Sequence, residues 1–460
     1  MRISTDPFTN PTSQHATQVE PDTFAFGNTI VAAFQSGRFF QGGASDISFA
    51  TSTNGGVTWT TGNLPGITNV QQSGSPYDRV SDPTVAFDAA HQVWMIASLP
   101  IVNSNAPIPA VLVSRSTDGI NWQAPVAVGG PSTSPDKDWI VCDNTSTSPH
   151  FGNCYIEWDD FANNNRIQMN TSTDGGLTWG PSLSTADAVT GLGGQPLVQP
   201  DGTVIVPINN ANQSSLLAFR SIDGGASWTA TVKIADIIDH LVAGGLRTSP
   251  LPSAEMDGAG KVYVAWQDCR FRAGCTANDI VLSTSTDGVT WTTPLAVPID
   301  ASSSTVDHFI PGLGVDRTTS GSTARLGLAY YFYPSTACTA TTCQLSVGFT
   351  SSANGGQTWT AAQTLAGPMT LSWLADTNQG LMVGDYISTS YVNGKAHPVF
   401  AVATANNGTI FNEAMFTSTS GLLAEQRDQS RSVKMFAVRR DEVLSFSSDH
   451  PPRTPVLPTW

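Results

Sequence analysis

Charged side chains are scarce in this chain. Asp, Glu, Lys and Arg make up 12% of its 460 residues, with 21 basic against 36 acidic and a net charge of −15. Nucleic acid and anionic membrane surfaces need basic clusters, so that balance excludes both as partners. No apolar run reaches the length of a membrane span. There is no CxxC pair, no His spacing suited to zinc and no EF-hand-like loop, so no cofactor or metal is assigned. Clustered Asp residues leave Ca²⁺ open without naming its ligands. No apolar h-region follows Met1-Arg2-Ile3-Ser4, so no signal peptide is read there.

The six cysteines form sequence-local pairs: Cys142 with Cys154, Cys269 with Cys275, and Cys338 with Cys343. Three loop-closing disulfides are expected, in preference to buried free thiols, and with them an oxidising compartment. The expectation is a secreted, monomeric protein whose leader is absent from this sequence.

Gly, Ser, Thr and aromatic residues are plentiful, and one stretch recurs. Ser172-Thr173-Asp174-Gly175-Gly176-Leu177-Thr178-Trp179 is repeated from Ser52 to Trp59 and from Ser221 to Trp228. A further copy runs from Ser352 to Trp359, and shorter ones end at Trp122 and Trp291. The chemistry is that of a tight hairpin. Asp or Asn bonds nearby amides, Gly takes a positive φ, and Trp packs back onto the sheet. These acids therefore belong to the frame of the fold.

Apolar or alternating runs precede each copy, as in Thr29–Phe34 with Ile47–Thr51, or Val93–Ala97 with Ala110–Val113. A repeat of roughly 50–70 residues fits one four-stranded antiparallel blade per copy. Residues 1–420 read as an all-β β-propeller. A last unit around Pro398–Val402 lacks a box and a fourth strand, which the N-terminal Arg2–Thr5 can supply, closing the ring. Seven blades are expected, with six as the runner-up. Residues 421–460, where Arg427, Arg431 and Lys434 crowd before Pro451, read as a tail with a short peripheral helix or a disordered end.

If the boxes turn between third and fourth strands, the loops entering first strands, and those joining second to third, lie on the opposite face. Those loops hold Glu20, Asp22, Asp78, Arg79, Asp82, Asp136, Lys137, Asp138, Arg247, Asp307, His308, Asp385 and Tyr386. They also hold Arg38, Asp46, Asp159, Asp160, Asp268 and Arg270, with Tyr331 and Tyr333 at a strand end. Carboxylates, arginines and aromatic rings around one cup suit a carbohydrate. The substrate-binding set is expected to be Arg38, Arg79, Asp82, Asp138, Arg247, Asp268, Arg270, Asp307, His308 and Asp385. Each has a structural alternative, such as an acid bonding loop amides or an Arg–Asp pair repeated between units.

The repeated Ser-x-Asp-x-Gly-x-Thr-Trp pattern resembles the Asp-box, or BNR repeat, of sialidases and related propellers. Residues 20–59 resemble the first sialidase blade, with Arg38 in a loop, Asp46 before the third strand, and then the box. The resemblance implies an acid/base at Asp46, an arginine cluster for a substrate carboxylate at Arg38, Arg247 and Arg270, and a tyrosine nucleophile among Tyr331, Tyr333 and Tyr386. The family's Arg-Ile-Pro is here Val19-Glu20-Pro21, so its first arginine is missing. The expected function is a glycoside hydrolase on an extracellular glycan. The alternatives are a non-catalytic glycan- or protein-binding propeller and a polysaccharide lyase.

Overall fold

The computed structural model describes residues 1–104, 106–406 and 410–424, so most of the expected tail lies outside the described residues. The chain is all-β, and among the described residues helix is limited to short 3-10 turns. Antiparallel sheets follow one another in chain order. The first contains Gln18–Phe26, Thr29–Arg38, Ala44–Ser52 and Thr60–Asn63. The second, joined to the first through a single Ala44–Val80 pair, contains Arg79–Asp88, Val93–Ile101, Val111–Ser116 and Val126–Val128. Pro135–Cys142, Cys154–Asp160 and Arg166–Ser172 form the next, whose outer edge bridges Leu183. Ser253–Met256 and Asp307–Val315 open two later four-stranded sheets.

The last sheet holds Ser388–Val392, Lys395–Ala403 and Glu413–Phe416. Its outer edge is met by the N-terminus: Arg2 bridges Phe416, and the Ile3 N–H donates to the Met415 carbonyl at 2.9 Å. Arg2–Thr5 thus pairs where the sequence places it, through a bridge rather than a full strand. Leu422–Leu423 pairs with Lys395 and Ala396, on the side of that central strand opposite Ser388–Val392.

The core lies in layers between successive sheets. Val31, Ile47, Phe49, Phe87, Trp94 and Trp122 fill one layer between the first two sheets. Tyr155, Val206, Phe219 and Trp228 fill a later one. A strand between two such layers is covered on both faces, so every residue of Ala44–Ser52 is buried. Each fully buried large aliphatic or Phe side chain contributes about 1.5–3 kcal/mol.

The repeated boxes are turns between third and fourth strands. In Ser172–Trp179, Asp174 Oδ1 accepts the N–H groups of Leu177 at 3.0 Å and Thr178 at 2.9 Å. Ser172 Oγ donates to Asp174 and accepts the Gly176 N–H at 3.0 Å. Gly175 and Gly176 take φ of 71° and 77°, a region costly for residues with a Cβ. All three expected disulfides are present, and Cys142 and Cys154 are cross-strand partners.

The first strands carry a feature that sets up the opposite face. Glu20, Asp82, Lys137 and Ile310 have φ of 62°, 49°, 33° and 49°, each at a break in strand register. Three of the four precede proline: Pro21, Pro83 and Pro311. These are β-bulges, which leave one residue unpaired and re-aim its side chain. Non-glycine residues there cost on the order of 1–3 kcal/mol each, a strain that concentrates at functional sites.

Candidate functional site

The bulges bring Glu20, Asp82 and Lys137 together with Asp136, Arg247 and Asp385. The strand Gln18–Phe26 packs against both Arg79–Asp88 and Ser388–Val392, and Arg79–Asp88 packs against Pro135–Cys142. First-strand residues Asp22, Val85, Trp139 and Leu197 line one common cavity, and Glu255 and Arg317 join them there. The charged cluster sits at the loop end of the same strands.

Its bonding is explicit. Arg247 grips Asp385 with two prongs, Nε to Oδ1 at 2.8 Å and Nη2 to Oδ2. The Asp385 N–H donates to Glu20 Oε1 at 3.2 Å, and the Gln35 amide donates to Glu20 Oε2. Gly384 permits that approach, because a Cβ there would fall 2.7 Å from the Glu20 Cα. Lys137 Nζ lies 3.8 Å from the Tyr386 ring centroid and 4.5 Å from that of Trp139, and it donates to the Asp138 carbonyl at 3.3 Å. The Tyr386 hydroxyl donates to the Pro83 carbonyl at 3.0 Å. Thr84 Oγ1 donates to Asp138 Oδ2 at 3.2 Å.

The electrostatics follow from crowding acids at low solvation. Burial, then the charges of Asp82 and Asp385, push Glu20 up to about 8 against the pull of Arg247 and Arg38. Burial, then Asp82, push Asp136 up to about 7. Burial raises Glu157 to about 8 and holds Asp138 and Asp159 well above the carboxylate range. Burial pulls the Arg247 guanidinium down, but Asp385 and Glu20 more than offset it. Glu20, Asp138, Glu157 and Asp159 are buried, whereas Asp136, Arg247 and Asp385 remain partly open.

The other expected residues fall elsewhere. Asp46 is not in a loop. The connection after Arg38 spans only residues 39–43, so Asp46 lies within Ala44–Ser52, opposite Ser36 and fully buried. Burial holds it well above the carboxylate range, and no charged group contributes to that shift. Arg38 is buried behind the cluster, donating to the Gly43 carbonyl, with Nε 3.4 Å from Met382 Sδ. Arg79 braces a loop through the Gly42 carbonyl at 2.6 Å and Asn103 Oδ1 at 3.0 Å. The Tyr331 hydroxyl donates to the Ala401 carbonyl at 2.8 Å and that of Tyr333 to the Ala243 carbonyl at 3.3 Å, with both rings buried.

A second polar group forms around Asn278. Arg270 is bidentate on Asp268, through Nε at 2.8 Å and Nη2 at 2.6 Å. Asp307 Oδ1 accepts the Asn278 N–H at 2.7 Å, and its Oδ2 lies 3.5 Å from His240 Nδ1. His308 is lowered to about 4, chiefly by burial, and its Nδ1 meets the Asn278 carbonyl at 3.2 Å. Among the described residues, Asp279, Asp300 and His308 approach metal-ligand spacing. Arg272 already donates to both carboxylates and supplies the positive charge there. His240, Asn278 and Glu157 were not legible as site residues. Glu157 sits inside the apolar run Cys154–Trp158, and His240 and Asn278 follow no motif.

No protein-family model matches the chain, and no curated protein sequence matches it. Solved structures resemble it in fold. An ulvan lyase, a polysaccharide lyase, aligns over 91% of this chain and 96% of its own, at 11% identity and a TM-score of 0.54. The Trypanosoma rangeli sialidase aligns over 76% of this chain and 57% of its own, at 14% identity and a TM-score of 0.44. The intramolecular trans-sialidase of Ruminococcus gnavus covers 92% and 99%, at 13% identity and 0.42. At these identities the ulvan lyase likeness establishes a shared fold, and the two sialidase likenesses are weaker still.

Proposed function

We propose that the chain is a secreted, seven-bladed β-propeller that hydrolyses a glycan by acid/base catalysis in its central cup. The blade count rests on six box-bearing units plus the last sheet, completed by the N-terminal bridge. Closure rests on the contact of Ser388–Val392 with both Asp307–Val315 and Gln18–Phe26. The disulfides favour an extracellular setting.

One observation carries the chemistry: Asp136, half-buried at the start of Pro135–Cys142, is raised to about 7 by burial and by the neighbouring Asp82. A carboxyl that keeps its proton near neutrality beside a second carboxylate is the division of labour that glycoside hydrolysis requires. Asp136 acts as general acid and Asp82 as the partner carboxylate. Arg247, clamped by Asp385, and the Lys137–Tyr386 stack shape the binding surface. Asp46, Tyr331 and Tyr333 serve packing, and Arg38 and Arg79 brace loops.

A non-catalytic glycan-binding propeller is the second reading. It is favoured by the phenols of Tyr331, Tyr333 and Tyr386, all of which donate to backbone carbonyls and leave no free nucleophile among them. A lyase activity, suggested by the ulvan lyase, is the third. A panel of fluorogenic glycosides and intact polysaccharides separates them. Fluorophore release supports hydrolysis. Glycan binding without turnover supports the binder, and products absorbing in the ultraviolet support the lyase.

A further inference from the structure

Among the described residues, Arg166 is the arginine whose guanidinium makes no hydrogen bond and no ion pair within the protein, and its Nε is buried without a partner. Every other described arginine holds a backbone carbonyl, as Arg115 and Arg220 do, or a carboxylate, as Arg272 and Arg317 do. A buried N–H left unpaired costs stability, so its retention calls for a use.

Arg166 opens the strand Arg166–Ser172 at the end opposite the box. Pro135, Asp160 and Arg166 lie side by side across three strands, as do Asp136, Asp159 and Ile167 in the next row. Arg166 is therefore two strand spacings, roughly 10 Å, from the strand that carries Asp136. The acids nearest to it in register take neutral donors instead. Asp160 accepts from Ser132 Oγ at 2.8 Å and from the Asn163 amide, and Asp159 Oδ2 accepts from Asn165 Nδ2 at 2.8 Å. Arg166 is half-buried: its Nε is enclosed while its Nη groups reach solvent. A guanidinium held by its stem with a free fork is preorganised to take a carboxylate or sulfate end-on.

The acidic surroundings do not forbid an anion there. Burial holds Asp138 and Asp159 well above the carboxylate range and raises Glu157 to about 8. These acids keep their protons near neutrality and add little negative charge.

We propose that Arg166 forms an anion subsite flanking the cup, and that the ligand is a glycan bearing a carboxylate or sulfate on a sugar beside the one held at Asp136. The placement of that neighbouring sugar rests on the cup proposed above as the hydrolytic site.

The test is an array of uronate-bearing, sulfated and neutral oligosaccharides, probed with the full chain and with Arg166→Met and Arg166→Lys. Calorimetry on the tightest acidic ligand follows, with turnover measured on the same oligosaccharides. The wild type is expected to prefer acidic glycans, and the uronate and sulfated arms tell the two anions apart. Arg166→Met is expected to lose about ten-fold or more in affinity, and Arg166→Lys less, since it keeps the charge without the fork. The melting temperature of Arg166→Met is expected to stay level or rise, because the change removes an unpaired buried N–H and breaks no bond. Preference for neutral glycans, no binding of any acidic glycan, or unchanged affinity in Arg166→Met overturns the proposal. So does a loss of binding that comes with a fall in melting temperature, which would make Arg166 structural. Binding of acidic glycans that depends on Arg166, without turnover, would remove the hydrolase reading and leave this one standing. Turnover of neutral glycosides, unchanged in Arg166→Met and with no acidic glycan bound, would do the reverse.

Discussion

Arg247 and Asp385 are joined by two parallel hydrogen bonds although 138 residues separate them in sequence. The Asp385 N–H in turn reaches Glu20, so the segment leading into the last sheet is tied to the first strand. The pair is 23% and 14% exposed, too sheltered to be screened like a surface ion pair.

That geometry predicts strong coupling. Arg247→Ala and Asp385→Ala should each destabilise the fold, and the double variant should recover part of the loss. A coupling energy of about 2 kcal/mol is expected from a denaturant double-mutant cycle. Additive losses would show that the pair does not act as a unit.

The buried acids predict how stability depends on pH. Glu157 moves from an ordinary value of 4.5 to about 8 in the fold, mainly through burial. The unfolded chain releases that proton at lower pH than the native one does. The contribution is therefore fully present below about 4.5 and lost as pH rises through about 8. Melting temperature should fall by several degrees between pH 5 and pH 8. Glu157→Gln should flatten that slope, and an unchanged slope in the variant would exclude Glu157 as its source.

The same logic applies to Asp136. If it is the general acid, kcat/KM declines as pH rises past about 7, where its proton is lost. Removing the like charge in Asp82→Asn should lower the Asp136 value and move the alkaline limb of the profile acidward by about one pH unit. A limb that stays in place would show that the two carboxyls are uncoupled.

Much of the frame was legible in the sequence, because a turn is a local event. The box from Ser172 to Trp179 needs only its own Asp, Gly and Ser to bond its own amides, and it appears where the repeat places it. The charged cluster was legible only as residues spread over several loops. The bulges at Glu20 and Asp82 follow from register breaks that an acid–proline dipeptide hints at without specifying. Asp46 was misplaced because strand alternation does not reveal that both faces of Ala44–Ser52 are covered by neighbouring sheets. The pairing of Asp307 with His240 comes from a loop without a motif, so nothing local announces it.

Asp46 and Tyr331 give a direct check on that reassignment. Asp46→Asn replaces a buried acid, held by burial well above the carboxylate range, with a near-isostere and should leave turnover unchanged. Tyr331→Phe removes one hydrogen bond to Ala401 and should cost about 1 kcal/mol in denaturant unfolding. Loss of turnover in either variant, with the fold intact, would return these residues to the reaction.

The most direct measurement is turnover by Asp136→Asn on whichever glycan the wild-type chain cleaves, with binding and melting temperature measured on the same preparation. The account predicts a fall in kcat of about 10²–10⁴-fold, the usual contribution of a general acid, with melting temperature nearly unchanged. Turnover by Asp136→Asn equal to that of the wild type would contradict it.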